Sequence, residues 1–120
     1  RFKILVHHEV EIAFIDLSDI AAEDAPPLLR HIGDLVVNQP LRSVRALTDV
    51  TGGVYNKEGL TQLKAFAIRN SPHMLASAVV GATGLRVAAL KAVALVTGRN
   101  IRPFATREEA LDWLASVNPA

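Results

Sequence analysis

The sequence predicts an α/β protein, a small sandwich in the order ββαβαβαβα with a mostly parallel sheet, an antiparallel opening hairpin and four helices. Three observations predict it. The apolar period switches between about two and three-to-four residues along the chain. Clusters of Gly, Pro, Asn and Ser punctuate the switches. From the second strand onward, strands alternate with helices, which implies right-handed crossovers and a parallel sheet.

Lys3 to His7 and Glu11 to Leu17 are short β-rich runs separated by His8, Glu9 and Val10, the pattern of a hairpin. Asp24 precedes Ala25, Pro26 and Pro27, and early helical positions tolerate proline because their N–H groups lack an intrahelical partner. Leu28, Leu29, Ile32, Leu35 and Val36 then mark the buried face of a helix that Asn38, Gln39 and Pro40 end. Ser43 to Thr48 reads as the third strand. Asp49 to Gly53 follows as a turn whose glycines permit positive φ.

Asn56 caps a second helix from Lys57 to about Arg69, with Leu60, Leu63, Phe66 and Ala67 on its inward stripe. Asn70, Ser71 and Pro72 stop it. Leu75 to Val80 is apolar at nearly every residue, as expected of a central strand covered on both faces. Gly81, Ala82, Thr83 and Gly84 lead into a third helix, Leu85 to Thr97, closed by Gly98. Ile101 to Phe104 forms a last strand. Thr106 with Glu109 makes a capping box that opens a fourth helix through Ala110, Leu111, Trp113 and Leu114.

Residues 1–120 are enough for one domain with one core, and half of them are apolar. The absence of cysteine excludes a disulfide framework and a thiol nucleophile. Thirteen Lys plus Arg against twelve Asp plus Glu leave a net charge of +1, which gives no electrostatic case for nucleic acid or an anionic membrane. No apolar run is long enough to insert in a membrane and no signal peptide is apparent, so a soluble, cytoplasmic protein is expected. Arg1 in place of Met points to a trimmed start.

Ala78-Val79-Val80-Gly81, the Gly98-Arg99-Asn100 turn, and Phe104 with Glu109-Ala110-Leu111-Asp112-Trp113-Leu114 give the chain its resemblance to the SpoIIAA-like family, a branch of the STAS-like fold related to Sec14. The resemblance covers almost the whole chain and implies a STAS-like sandwich. Fold alone does not fix function. Anti-sigma-factor antagonists of the wider STAS group carry Asp-Ser-Ser-Gly between the third strand and the second helix, where a kinase phosphorylates a serine. This chain has Asp49-Val50-Thr51-Gly52 there: Asp49 and Gly52 match, Thr51 offers the hydroxyl, and Val50 departs. The resemblance therefore implies Thr51 as the phosphorylation candidate, while the plainer alternative is that Asp49 and Thr51 simply bond turn amides, as such residues often do.

In open parallel sheets, ligands bind outside the carboxyl ends of the strands. The turns Asp49 to Gly53 and Gly81 to Gly84 should leave that edge side by side, each feeding a helix N-terminus. Asp49, Thr51, Gly52, Gly53, Tyr55, Gly81, Thr83 and Gly84 are the candidate ligand- or partner-binding residues, with Lys57 nearby; tight βα turns that need glycine are the simpler explanation of the pattern. Gly-Ala-Thr-Gly lacks the dinucleotide fingerprint and the P-loop lysine. No nucleophile elbow appears, so a non-enzymatic role without cofactor is expected. His7, His8, His31 and His73 show no metal-ligand spacing, and adjacent strand residues such as His7 and His8 point to opposite faces, so no metal is expected. Asp16 is the acidic residue within the apolar run Ile12 to Leu17 and is either a functional carboxylate or, as is more common, one that faces solvent or caps a neighbouring loop.

The third helix is unusually apolar. Leu85, Ala88, Ala89, Ala92 and Val96 form its core arc, while Val87, Leu90 and Ala94 project between Arg86, Lys91 and Thr97 on the outer side. The strip Val87, Leu90 and Ala94, rimmed by Arg86 and Lys91, serves either homodimer or partner association or contact with the last helix. Three roles follow: a module binding a small ligand or protein partner, a phospho-regulated switch at Thr51, or, from the kinship to Sec14-like lipid carriers, binding of an apolar molecule.

Overall fold

A computed structural model describes residues 1–54, 56–82 and 101–119. Strands β1 (Phe2–His7), β2 (Val10–Asp16), β3 (Val44–Asp49), β4 (Met74–Val80) and β5 (Ile101–Phe104) form one sheet in the spatial order β1-β2-β3-β4-β5. β1 pairs antiparallel with β2, and the remaining neighbours are parallel. Helices α1 (Ala25–Val36), α2 (Lys57–Asn70) and α3 (Arg107–Ser116) complete the described elements, with a single 3-10 turn at Ser71–His73. The helix expected over 85–97 lies outside the described residues, as do Tyr55, Thr83 and Gly84 and the association strip of Arg86, Val87, Leu90, Lys91 and Ala94.

The alternation of side chains along the strands feeds two cores, one on each face of the sheet. Ile15, Leu17, Ala46 and Met74 pack with Leu29, Ile32 and Val36 of α1. On the opposite face Ile12, Phe14, Leu47, Ala78 and Val80 pack with Ala110 and Leu114 of α3. Ile12, Ile15, Leu17 and Ile32 are fully buried, and each such side chain contributes about 1.5–3 kcal/mol relative to exposure. One short strand can serve both layers because consecutive residues of β2 enter different cores.

Local signals set the helix starts. Asn56 accepts the Gly59 amide at 2.8 Å, which satisfies an N–H that the first turn of α2 leaves without a partner. Thr106 accepts the Glu109 amide at 3.2 Å and caps α3, while its hydroxyl, rather than the backbone N–H of a full capping box, donates to the Glu109 carboxylate at 3.0 Å. α1 begins at Ala25 with proline in its first turn and no side-chain cap.

The structure corrects two details. Leu35 and Leu60 are 40% and 49% exposed rather than inward. A helical step turns by about 100°, so Leu35 falls to the flank of Val36, and Leu60 to the flank of buried Gly59. α2 packs against α1, with Leu63 and Phe66 reaching the core, which leaves its flank open. β4 lies inside the sheet, between β3 and β5, and is covered on both faces as its apolar run implies. Strand bounds shift by a residue because backbone pairing, such as His7 with Val10 across the hairpin, extends past the apolar runs.

Candidate functional site

Since β2 to β5 run parallel, their carboxyl ends share one edge of the sheet. The turns that leave this edge stay in step. The Leu17 amide donates to the Asp49 carbonyl at 2.8 Å, Asp19 donates to the Thr51 carbonyl at 2.8 Å, and Val50 donates to the Val80 carbonyl at 2.9 Å. The turns after β2, β3 and β4 therefore form one continuous rim.

Glycine makes this approach possible. Gly81 has φ +85°, and a Cβ there would overlap the Thr51 hydroxyl and lie 2.7 Å from the Thr51 N and Cα. Gly52 has φ +69°, and a Cβ there would overlap the Asp19 carboxylate. Thr51 and Gly52 are exposed, Gly53 and Asp49 are buried, and Gly81 is intermediate.

Asp49 ends β3 at 4% exposure. Its Oδ1 accepts the Thr51 amide at 2.9 Å, and its Oδ2 accepts Arg107 Nε at 2.7 Å. Burial pushes the Asp49 carboxyl up, but hydrogen bonds from the Thr51 hydroxyl and amide and from Arg107, with the guanidinium charge, outweigh it and hold the group below the ordinary range. The Arg107 guanidinium also lies 4.7 Å over the Phe14 ring and 3.8 Å from Asp16.

Asp16 ends β2 on the same rim. Its Oδ1 accepts the Ser18 amide at 3.0 Å and the Ser18 hydroxyl. Burial pushes this carboxyl up as well, and the Ser18 bonds with the charges of Arg107 and Arg1 bring it below the ordinary range. Both carboxylates are thus ionised at neutral pH, the reverse of what a general acid needs. The arrangement is a charged, hydrogen-bonded platform beside the exposed Thr51 and Gly52.

Of the residues singled out in the sequence, the structure brings Asp16, Asp49, Thr51, Gly52, Gly53 and Gly81 to this rim. Lys57 opens α2 beyond it and is exposed. Sequence reasoning missed Arg107, Ser18 and Asp19. Arg107 had a signal: it follows Thr106, the cap of a helix entered from β5, and the carboxyl end of β5 must share the edge of β4.

A second cluster contradicts the expectation for the histidines. His7 Nε2 lies 2.7 Å and His8 Nε2 3.3 Å from Asp112 Oδ1 on α3. His8 is not a strand residue; it sits in the hairpin turn at φ +51°, so strand alternation does not apply to it. The turn swings its ring to within 4.2 Å of the His7 ring, centroid to centroid. Hydrogen bonding from His7 foremost, and from His8, draws the Asp112 carboxyl below its ordinary range against a smaller opposing effect of desolvation.

A parallel sheet led by an antiparallel hairpin, covered by helices on both faces and gathering its turns at one rim, defines a SpoIIAA-like α/β fold of the STAS type. Among solved structures, the chain is similar to an uncharacterised protein of the DUF3478 family with a SpoIIAA-like fold from Shewanella loihica PV-4, at 16% identity and TM-score 0.75, over 95% of this chain and 92% of that one. It is also similar to an anti-sigma-factor antagonist (STAS) domain protein from Planctomyces limnophilus, at 14% identity and TM-score 0.63, over 96% and 98% of the two chains. No family model matches the chain, and no curated protein matches it. At these identities the likeness establishes the fold.

Proposed function

We propose that the chain is a non-enzymatic binding or regulatory module of the cytoplasm that recognises a small ligand or protein partner at the rim formed by the turns after β3 and β4. The observation that carries this reading is the contact of Gly81 with Thr51 above the Asp49–Arg107 pair. It puts an exposed hydroxyl, main-chain groups and a fixed charge pair on one surface. The depressed carboxylates support recognition over proton transfer. Among the described residues, no helix is long and apolar enough to cross a membrane.

The test is a photo-reactive residue placed at Thr51 and, as control, at Leu41, which is 69% exposed at the opposite end of β3. In the source cell, cross-links specific to position 51 support the reading. Equal capture at both positions, or none at 51, overturns it.

A second reading, a phospho-switch at Thr51, is favoured by the exposure of this residue and by its place beside Asp49, whose carboxylate accepts the Thr51 amide. A phosphate there adds about −1.5 to −2 charges. It would repel the Asp49 carboxylate and compete for Arg107. Intact-mass analysis of protein from its native cell distinguishes the readings, since an unmodified Thr51 under all growth conditions excludes the switch. Among the described residues, the two apolar cores are occupied by the protein's own side chains on each face of the sheet, and nothing there favours an apolar ligand over the rim.

A further inference from the structure

We infer that His7, His8 and Asp112 form a binding site for a divalent transition metal of the zinc class, with two imidazole nitrogens and one carboxylate oxygen as protein ligands. One ligand atom from each of the three residues lies within 4.8 Å of the other two. The three residues come from the end of β1, the hairpin turn and α3, so the site exists only in the folded chain.

The distances suit a small adjustment into coordination. In a tetrahedral site with bonds of about 2.0–2.2 Å, neighbouring ligand atoms stand roughly 3.3–3.5 Å apart. His7 Nε2 and Asp112 Oδ1, at 2.7 Å, must open slightly; His8 Nε2 already stands 3.3 Å from the same oxygen, and the two imidazoles have to settle from within 4.8 Å of each other. Asp112 and His8 have side chains 57% and 70% exposed, which leaves them room to turn, while His7 at 25% is the anchored member. Exposure also leaves the remaining coordination position to water.

The donor set selects the metal. Imidazole with carboxylate suits Zn²⁺, Ni²⁺ and Cu²⁺, whereas Mg²⁺ and Ca²⁺ prefer oxygen ligands throughout. His8 and Glu9 hold positive φ, at +51° and +66°, as the two central residues of a tight hairpin turn between His7 and Val10 do, and this turn carries the His8 ring toward Asp112. The bound metal would clasp the opening hairpin to the last helix, at a place separate from the rim.

Zn²⁺ titration of the full chain by calorimetry at neutral pH, with Co²⁺ absorption as a second readout, tests the inference. The expected result is saturable one-to-one binding that His8→Ala and Asp112→Asn each weaken by at least about tenfold, while His31→Ala and His73→Ala leave it unchanged. Long-range nitrogen–proton NMR on the unmodified protein reads the ligands without any substitution, and Zn²⁺ should shift the Nε2 signals of His7 and His8 selectively. Absence of saturable binding, or binding that follows His31 or His73 instead, overturns the site.

Discussion

Gly81 and Thr51 stand so close that no side chain fits between them: a Cβ on Gly81 would lie 2.7 Å from both the backbone N and the Cα of Thr51. The left-handed φ of Gly81 adds a second barrier to substitution. Gly81→Ala should therefore lower stability by about 1–3 kcal/mol from the backbone conformation, with the clash adding to it. Denaturant unfolding measures the loss. An alanine variant as stable as the parent would show that the two turns are not packed in this way.

Arg107 supports a buried carboxylate from a half-exposed position, with Asp49 at 4% exposure and the Arg107 side chain at 48%. Arg107→Ala leaves Asp49 without its charge partner, and the expected cost is about 1–2 kcal/mol, discounted for the solvent that reaches the guanidinium. Arg107→Lys should recover only part, because a single ammonium replaces a planar fork. A neutral effect of the alanine change on the midpoint of unfolding would rule out the pair as a support of the rim.

The same pair sets an acid limit. Asp49 has its pKa lowered in the folded state relative to an unfolded value near ~3.9. Its stabilising contribution is therefore fully present above that unfolded value and is lost as pH falls through the lower folded one. Asp16 acts in the same direction. Unfolding curves from pH 7 down to pH 2 should show stability dropping below about pH 4, with a shallower drop in Asp49→Asn. Identical slopes for parent and variant would exclude this linkage.

Thr106→Ala removes the hydroxyl that caps α3 and bonds the Glu109 side chain. The expected cost is about 1 kcal/mol, and Thr106→Ser should restore most of it. Thermal unfolding compares the three proteins, and equal midpoints would mean that α3 does not depend on its cap.

Much of the fold was legible because its signals are local. The caps Asn56 and Thr106, the prolines opening α1 and the apolar run of β4 each act within a few residues. The rim was legible in part: parallel order alone puts Asp49, Thr51 and Gly81 on one edge. Arg107 was missed because its partner Asp49 is 58 residues away in sequence; its place follows only from topology, through the parallel order that brings the end of β5 to this edge, and from no local pattern around Asp49. The histidine cluster was misread for a different reason. The rule of alternating faces holds within a strand, and His8 has already left the strand for a turn in the left-handed region.

The central claim, that the turns after β3 and β4 meet as one surface, is tested most directly by proton NMR of the isotopically labelled protein. Cross-relaxation between the Gly81 α-protons and the Thr51 side chain, together with a contact from Gly52 to Asp19, is the result expected. Strong contacts that place Gly81 beside other residues, with none to Thr51, would contradict it.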